Sequence, residues 1–162
     1  MAGFTYRRTA VSVKLAVSGF LLFAVVGLGV AALQVYVRTG LTPQGALLHY
    51  RGDEATLQYP KSFREMVEIT HAHAFTIPLL ALVLSAALAL SSRSQPLKRL
   101  VTLALLTGAA LELGVPWLVR YGPAWTVHLF ILAGALLGGG VFVAAGIPLY
   151  EMWGPPRQAR DE

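Results

Sequence analysis

Residues 12–37, SVKLAVSGFLLFAVVGLGVAALQVYV, carry a single charge, that of Lys14, within a stretch longer than a membrane span requires. A helix of about 20 apolar residues crosses the hydrocarbon core of a bilayer. Similar stretches follow at about 65–91, 98–120 and 124–150. The sequence therefore predicts an all-α integral membrane protein, a single domain in which four transmembrane helices form a bundle.

The composition excludes several classes of function. Apolar residues make up 56% of the chain and charged residues 13%, against about 25% charged residues in soluble domains. The absence of cysteine excludes disulfides, thiolate catalysis, iron–sulfur clusters and covalently attached haem. The net charge of +5 comes from basic residues at the ends of the apolar stretches, where Lys and Arg contact lipid headgroups. We therefore expect the membrane, and no nucleic acid, as a partner.

The basic residues also predict an orientation, because Lys and Arg favour the cytoplasmic side of a membrane. We expect both termini inside (N-in, C-in), the loop 38–63 outside, and a multi-pass location in a bacterial inner membrane. With this orientation the cytoplasmic segments hold Arg7, Arg8, Lys14, Arg93, Lys98, Arg99, Arg157 and Arg160, whereas the outer segments hold Arg38, Arg51, Lys61, Arg64 and Arg120.

The deep ionisable residues of the spans share one depth. Counted from Arg64, His71 and His73 lie roughly 10–14 Å into the second span, and His128 lies at a similar depth in the fourth. Glu112 lies about 12 Å below the outer end of the third span. Such groups are costly in lipid and normally face the interior of a bundle. Because the inner half is almost wholly apolar, we expect a functional site in the outer half.

Two of these histidines cannot both face the centre of the bundle. His71 and His73 are two residues apart, so their side chains point about 200° apart around a helix. We prefer His71 as the inward residue, because it shares its face with Glu68, Phe75 and Pro78. Pro78 also loosens the helix below the pair and so adjusts the direction of both rings.

One histidine from the second span and one from the fourth, at matched depth in a four-helix bundle, is the arrangement that ligates a b-type haem. The predicted axial ligands are His128 with His71, or with His73 in its place. Small residues would let the macrocycle approach the helices, and among them we select Gly108 on the third span. The haem propionates require cations, for which the candidates at the outer rim are Arg51, Arg64 and Arg120.

This arrangement resembles the small bacterial membrane cytochromes b, the broad b561-like group of four-helix proteins that bind haem through two histidines and exchange electrons with quinones. The resemblance covers the four spans and rests on THAHAF, residues 70–75, and WTVHLF, residues 125–130. Members of the b561 type usually carry a second haem towards the inner face. The inner half of this chain has no histidine, so the resemblance implies one haem b near the outer face.

The corresponding function is electron transfer between the membrane quinone pool and a periplasmic redox protein or a larger respiratory complex. Glu112 is the candidate catalytic residue, because a desolvated carboxyl near a haem can take protons from a quinol; a structural role as the partner of His128 or His73 is equally compatible with the sequence. The sequence leaves open whether the chain is a quinone-linked oxidoreductase or an electron-transfer subunit.

A non-haem metal site is the main alternative. Glu68 and His71 have the i, i+3 spacing of carboxylate-bridged di-metal bundles. A transporter or proton-handling subunit and a cofactor-free accessory subunit of a respiratory complex are further alternatives. His49 in the outer loop is expected to have a loop role. The additional ligands available to a non-haem metal are Glu65, His73, Glu112 and His128.

Overall fold

The computed structural model describes residues 6–55 and 57–155. Within these ranges the regular structure is helical, apart from one isolated antiparallel bridge between Asp53 and Gln58. Short 3₁₀ turns at Tyr6–Arg8 and Ala124–His128 precede the first and last long helices. The α-helices are α1 Val11–Thr39, α2 Pro43–Arg51, α3 Phe63–Ala74, α4 Thr76–Ala89, α5 Gln95–Tyr121 and α6 Leu129–Trp153.

Four of the helical segments in the described ranges are long and apolar enough to cross a membrane. They are Val11–Thr39, Phe63–Ala89, Gln95–Tyr121 and Ala124–Trp153. The second combines α3 and α4, and the fourth adds a 3₁₀ turn to α6. The prediction of an all-α, four-helix transmembrane protein is confirmed, and the orientation of its termini stays a prediction.

Local sequence signals explain where the shorter helices begin and end. The Thr42 side chain accepts a hydrogen bond from the backbone N–H of Gly45, and Pro43 occupies the first turn of α2, a position where its missing N–H costs nothing. Ser62 and Glu65 form a reciprocal capping box at the start of α3, which satisfies two otherwise free N–H groups. The interruption at Phe75 between α3 and α4 lies just before Pro78, whose ring disfavours a continuous helix.

Close contacts between small residues hold α5 against α6. A Cβ atom added at Gly108 would lie 2.6 Å from the backbone nitrogen of Leu137, and one added at Gly140 would lie 2.8 Å from a methyl carbon of Leu105. Small residues allow helices to approach closely in membranes. The apolar side of α4 joins this pair through Ala81, Leu84 and Leu88, so α4, α5 and α6 form the centre of the bundle.

One end of the bundle, which we call the terminal half, is tightly connected. The Tyr6 hydroxyl donates to the Ala87 carbonyl at 2.5 Å, and the Trp153 indole N–H donates to the Ser18 hydroxyl at 2.9 Å. The Glu151 carboxylate accepts hydrogen bonds from the backbone N–H of Ser92 at 3.0 Å and from its hydroxyl at 2.7 Å. These bonds join α1, α4 and α6 around a continuous apolar core.

The opposite end, the loop half, is more open. Helix α1 packs on α6 as far as Leu28, whose Cδ2 would lie 3.8 Å from a Cβ at Gly138. Beyond that contact residues 29–38 are all exposed, and so are residues 71–76 at the junction of α3 and α4. Exposure here means surface that the protein itself does not cover. Protein therefore covers the loop ends of α1 and α3 less than the rest of the bundle, and we call the open space beside residues 29–38 and 71–76 the gap.

Helix α2 packs across the end of the loop half. Its Ala46 is buried with Val115, Val119 and Val127 from the ends of α5 and the following turn. The Tyr50 ring stacks on Phe130 of α6, with ring centroids 5.9 Å apart and an interplanar angle of 17°. Burial of these side chains fixes the short helix on the bundle.

Candidate functional site

The three predicted metal-binding histidines all lie in the loop half. His71 and His73 belong to α3, and His128 ends the 3₁₀ turn that leads into α6. All three side chains are exposed, so protein contacts leave their rings accessible from the gap or from the surrounding lipid.

The contacts of α3 distinguish His73 from His71. Thr70 accepts a hydrogen bond from the Trp117 indole N–H at 2.7 Å, which places that face of α3 against α5. Ile69 lines a pocket shared with α1 and α2. At 100° per residue, His73 lies about 40° from Ile69 around the helix, towards Thr70, whereas His71 lies about 160° away. His73 therefore faces the bundle, and His71 faces away from it.

The His73 ring is also held in a defined orientation. Its Nδ1 lies 2.7 Å from the backbone carbonyl oxygen of Ile69. A carbonyl only accepts, so Nδ1 carries the proton in this contact and Nε2 is the nitrogen with a free lone pair. A backbone carbonyl that fixes the tautomer in this way is the usual outer-shell partner of a metal-binding histidine.

Glu112 lies on α5 and is partly covered by protein. It interacts electrostatically with His73 of α3 and with Tyr50 of α2. Burial, and next the charge of Glu112, raises the pKa of the Tyr50 hydroxyl. The loop half thus brings together a carboxyl, an imidazole and a phenol from three different helices.

The cations predicted to bind propionates have partners within the protein. Arg51 donates from Nε to the Val119 carbonyl at 2.7 Å and from a terminal nitrogen to the Gly122 carbonyl at 2.5 Å. These two bonds tie α2 to the end of α5. They satisfy carbonyl groups that the helix terminus leaves free.

The other two predicted cations are also bonded. Arg120 donates to the Lys61 carbonyl at 2.6 Å and lies over the Tyr121 ring, 4.8 Å from its centroid. Arg64 pairs with Glu68 at 2.9 Å on the surface of α3. The structure therefore gives Arg120 a place in the loop connection and Arg64 an exposed ion pair.

Gly108 lies at the crossing of α5 and α6, against the backbone of Leu137. It is buried by that contact. In place of the cofactor contact expected from the sequence, the structure shows a helix-packing contact.

A polar pocket that was not predicted from the sequence lies beside the first turns of α3, before His73. It has a volume of about 370 Å³ and lies between the ends of α1, α2 and the start of α3. The pKa of His49 is lowered, first by burial and then by the charges of Lys61 and Arg38. The sequence feature that could have indicated this pocket is the presence of basic residues, Arg38 and Lys61, on both sides of α2. The lining residues are Arg38, His49, Lys61, Glu65, Glu68 and Ile69.

The donors in the loop half are histidine nitrogens and carboxylate oxygens. Among residues 6–55 and 57–155, no group of three or more His, Asp or Glu side chains is placed to hold a metal ion. A b-type haem requires only two axial nitrogens, because its porphyrin supplies the other four donors. The histidines that the loop half offers for those two positions are His71, His73 and His128.

Comparison with known proteins gives a family for the chain. The model of the family Aq_1264_TM, described as a transmembrane helical domain, matches residues 40–159. The chain belongs to this family. No curated protein and no solved structure matches.

The part that matches the family begins directly after α1. It contains α2 to α6 and so includes His73, Glu112 and His128. Arg38, at the end of α1, lies outside it. The family description supports a multi-pass membrane protein and names no ligand or activity.

Proposed function

We propose that the loop half binds one haem b and that the protein transfers electrons between the membrane quinone pool and a redox protein or larger respiratory complex. The observation that carries the proposal is the His73 ring, whose Nδ1 lies 2.7 Å from the Ile69 carbonyl. This contact leaves Nε2 free beside a gap in the bundle. When bound, a haem with two axial imidazoles supplies one-electron transfer without binding substrate at the iron.

The preferred axial pair is His73 with His128. His73 is preferred to His71 because the helix turns it towards the bundle, as the contacts of Ile69 and Thr70 indicate. His128 stands at the start of α6, in the half of the molecule that holds α3. Both imidazoles must be neutral to bind a metal, so ligation competes with their protonation.

Glu112 is proposed to receive protons when a quinol is oxidised. Each quinol gives up two electrons, which would leave one at a time to the redox protein, and two protons, which a carboxylate close to the site would accept one at a time and pass to water. It interacts electrostatically with His73, the proposed ligand. Tyr50 borders the same region, so α2 is expected to shield the carboxyl from bulk water.

The proposed setting is a bacterial inner membrane, with the loop half towards the periplasm. The basic residues of the terminal half support this orientation. Arg7 donates to the carbonyls of Gly154 and Pro155 there, and Lys98 donates to the carbonyls of Ala89 and Ser91 at 2.7 Å.

Absorption spectroscopy of three variants tests the axial ligands. The purified protein should show a b-type band in its reduced-minus-oxidised spectrum. His73→Ala and His128→Ala should each abolish haem retention, because each removes one of two axial bonds. His71→Ala is the matched control: the same residue type, two positions away on the opposite face of α3, should retain haem.

Two results would contradict the assignment. Haem lost from His71→Ala and retained by His73→Ala would reverse the choice of ligand. A wild-type protein that is colourless after incubation with haem and removal of the unbound haem would refute the cytochrome proposal itself.

The role of Glu112 has a separate test. Glu112→Gln should leave the haem spectrum intact and slow quinol oxidation by about a hundredfold, the lower range for loss of general acid–base catalysis. Turnover at the wild-type rate in this variant would limit Glu112 to a structural role.

A further inference from the structure

The pocket at the loop half contains one cation that the fold does not use. Arg38 lies in the last turn of α1 and lines the pocket. Within residues 6–55 and 57–155 it donates no hydrogen bond and forms no ion pair. An arginine side chain offers five N–H donors in a planar arrangement suited to carboxylate and phosphate groups. Its donors are therefore available to a ligand.

The two carboxylates in the pocket already have partners. Glu65 pairs with Lys61 at 3.0 Å, and Glu68 pairs with Arg64 at 2.9 Å. Because each negative charge is matched by its own cation, Arg38 adds a positive charge that nothing in the pocket balances. This excess favours an anionic ligand over a cationic one.

His49 supports the same conclusion about the sign of the potential. Its pKa is lowered by burial and by Lys61 and Arg38, while Glu65 acts in the opposite direction. The cations thus outweigh the carboxylate at this position. A neutral imidazole still has one N–H, so His49 can donate a hydrogen bond to an anion.

The pocket continues towards the proposed cofactor site. Ile69 lines it, and the carbonyl of the same residue contacts the His73 ring one turn further along α3. One helical turn advances about 5.4 Å along the axis. The pocket therefore lies directly above the face of α3 that carries His73.

We propose that this pocket binds an oxyanion, held by the Arg38 guanidinium with Lys61 and His49 as further donors. Two sources can supply the same chemistry. One is the phosphate of a phospholipid headgroup, since α1 ends and α3 begins here, at one end of two candidate membrane spans. The other is the pair of carboxylates of a haem ligated by His73, and this source rests on the proposed function.

Two binding measurements on the full chain separate the sources. Native mass spectrometry would measure retention of dioleoylphosphatidylglycerol. An absorbance titration would compare haem b with haem dimethyl ester, which lacks the two charges. Both use Arg38→Gln and, as the matched control, Arg64→Gln combined with Glu68→Gln, which removes a cation from the same rim together with the carboxylate it neutralises and so leaves the net charge unchanged.

A phosphate ligand predicts that Arg38→Gln loses at least tenfold in lipid retention, while the double variant at Arg64 and Glu68 retains lipid like the wild type. A carboxylate ligand predicts equal lipid retention and at least tenfold weaker haem binding in Arg38→Gln, with the preference for haem over its ester abolished. If all three proteins behave equally in both measurements, the proposal that the pocket binds an oxyanion is wrong. If the wild type binds no haem, the proposed function is wrong. Lipid retention alone then tests whether the pocket binds an oxyanion.

Discussion

The two halves of the bundle differ in what holds their helices together. In the terminal half, side chains from Tyr6, Ser18 and Glu151 bond across helices above an apolar core. In the loop half, α1 and the junction at Phe75 are exposed, and a short helix fixed by Arg51 covers the end. The terminal half is tightly bonded, whereas the loop half contains the histidines of the spans, Glu112 and the more open packing.

This difference follows from the energetics of polar groups in lipid. Hydrocarbon offers no hydrogen bonds, so an ionisable group within a span needs a protein partner, a ligand or access to water. The terminal half joins Tyr6, Ser18 and Glu151 to partners on other segments, although the Ser85 hydroxyl and Arg93 Nε there are buried without a hydrogen-bond partner. Among the described residues, the loop half leaves His73 Nε2 and the Arg38 guanidinium without a hydrogen-bond partner, and both proposed sites lie at this end.

The largest expected effect comes from Gly108, at the helix crossing on which both halves depend. In Gly108→Ala the added methyl would lie 2.6 Å from the backbone nitrogen of Leu137, so α5 and α6 must separate. We expect a loss of about 3 kcal/mol in stability, at the upper end for overpacking, measured by thermal unfolding in detergent.

Gly114→Ala is the control for this change on the same helix. A Cβ at Gly114 has no neighbouring atom within 4 Å, and alanine favours helix more than glycine. This variant should be as stable as the wild type or slightly more so. Equal destabilisation by both substitutions would show that helix packing at Gly108 is not the cause.

Removing the Arg51 contacts should affect the loop half alone. Arg51→Gln loses two hydrogen bonds from a charged donor to the end of α5. We expect a loss of about 2 kcal/mol, seen as faster amide hydrogen exchange in α2 with unchanged exchange in the terminal half. Arg64→Gln, which breaks only an exposed ion pair, should leave α2 unchanged, and exchange that rises throughout the protein would contradict this separation of the halves.

Tyr6→Phe tests the terminal half. It removes the hydroxyl that donates to the Ala87 carbonyl, and we expect a loss of about 1 kcal/mol at neutral pH. Burial, and then the charge of Glu151, raises the pKa of Tyr6 from 10.0 to about 12. An unfolded tyrosine therefore ionises first, so wild-type stability should fall as the pH rises from 10 to 12.

Thermal unfolding between pH 9 and pH 12 measures this effect. The slope of stability against pH should be smaller in Tyr6→Phe than in the wild type, because the substituted side chain does not titrate. Identical slopes would show that Tyr6 ionises equally in the folded and unfolded protein.

The smallest expected effect is the pH dependence due to His49. Its pKa is lowered in the folded protein, mainly by burial, so the unfolded chain takes up a proton first as the pH falls. Stability is complete above about pH 6.5, the ordinary pKa of histidine, and decreases below it. In His49→Gln the melting temperature should change less between pH 7 and pH 5 than it does in the wild type. An equal change in both proteins would assign the pH dependence to another group.

Hydrophobic stretches allowed the fold to be predicted, because a span requires little more than length and apolar composition. Helix α2 was not predicted, although Thr42 and Pro43 are a typical helix start. Its nine residues are too few for periodicity to stand out. The interruption at Phe75 was anticipated only as a loosening by Pro78.

The site residues were harder to predict, because their roles depend on how helices meet. The sequence located His73 and Glu112 at one depth, and the structure brings them within electrostatic range. It could not reveal that Arg51 bonds to carbonyl groups at the end of α5, since that requires knowing where α2 docks. For the same reason Arg38, which remains unpaired within the described residues, could not be recognised in advance.

Two tryptophans are placed to report on the two halves separately. Trp117 donates to Thr70 at the contact of α3 with α5, and Trp153 donates to Ser18 at the contact of α1 with α6. With Trp125 replaced by phenylalanine and one of the pair retained at a time, fluorescence would follow each contact independently. A porphyrin held beside His73 would quench the fluorescence of Trp117 by energy transfer more strongly than that of Trp153. Comparison of the two signals would therefore report how far the bound chromophore lies from each indole.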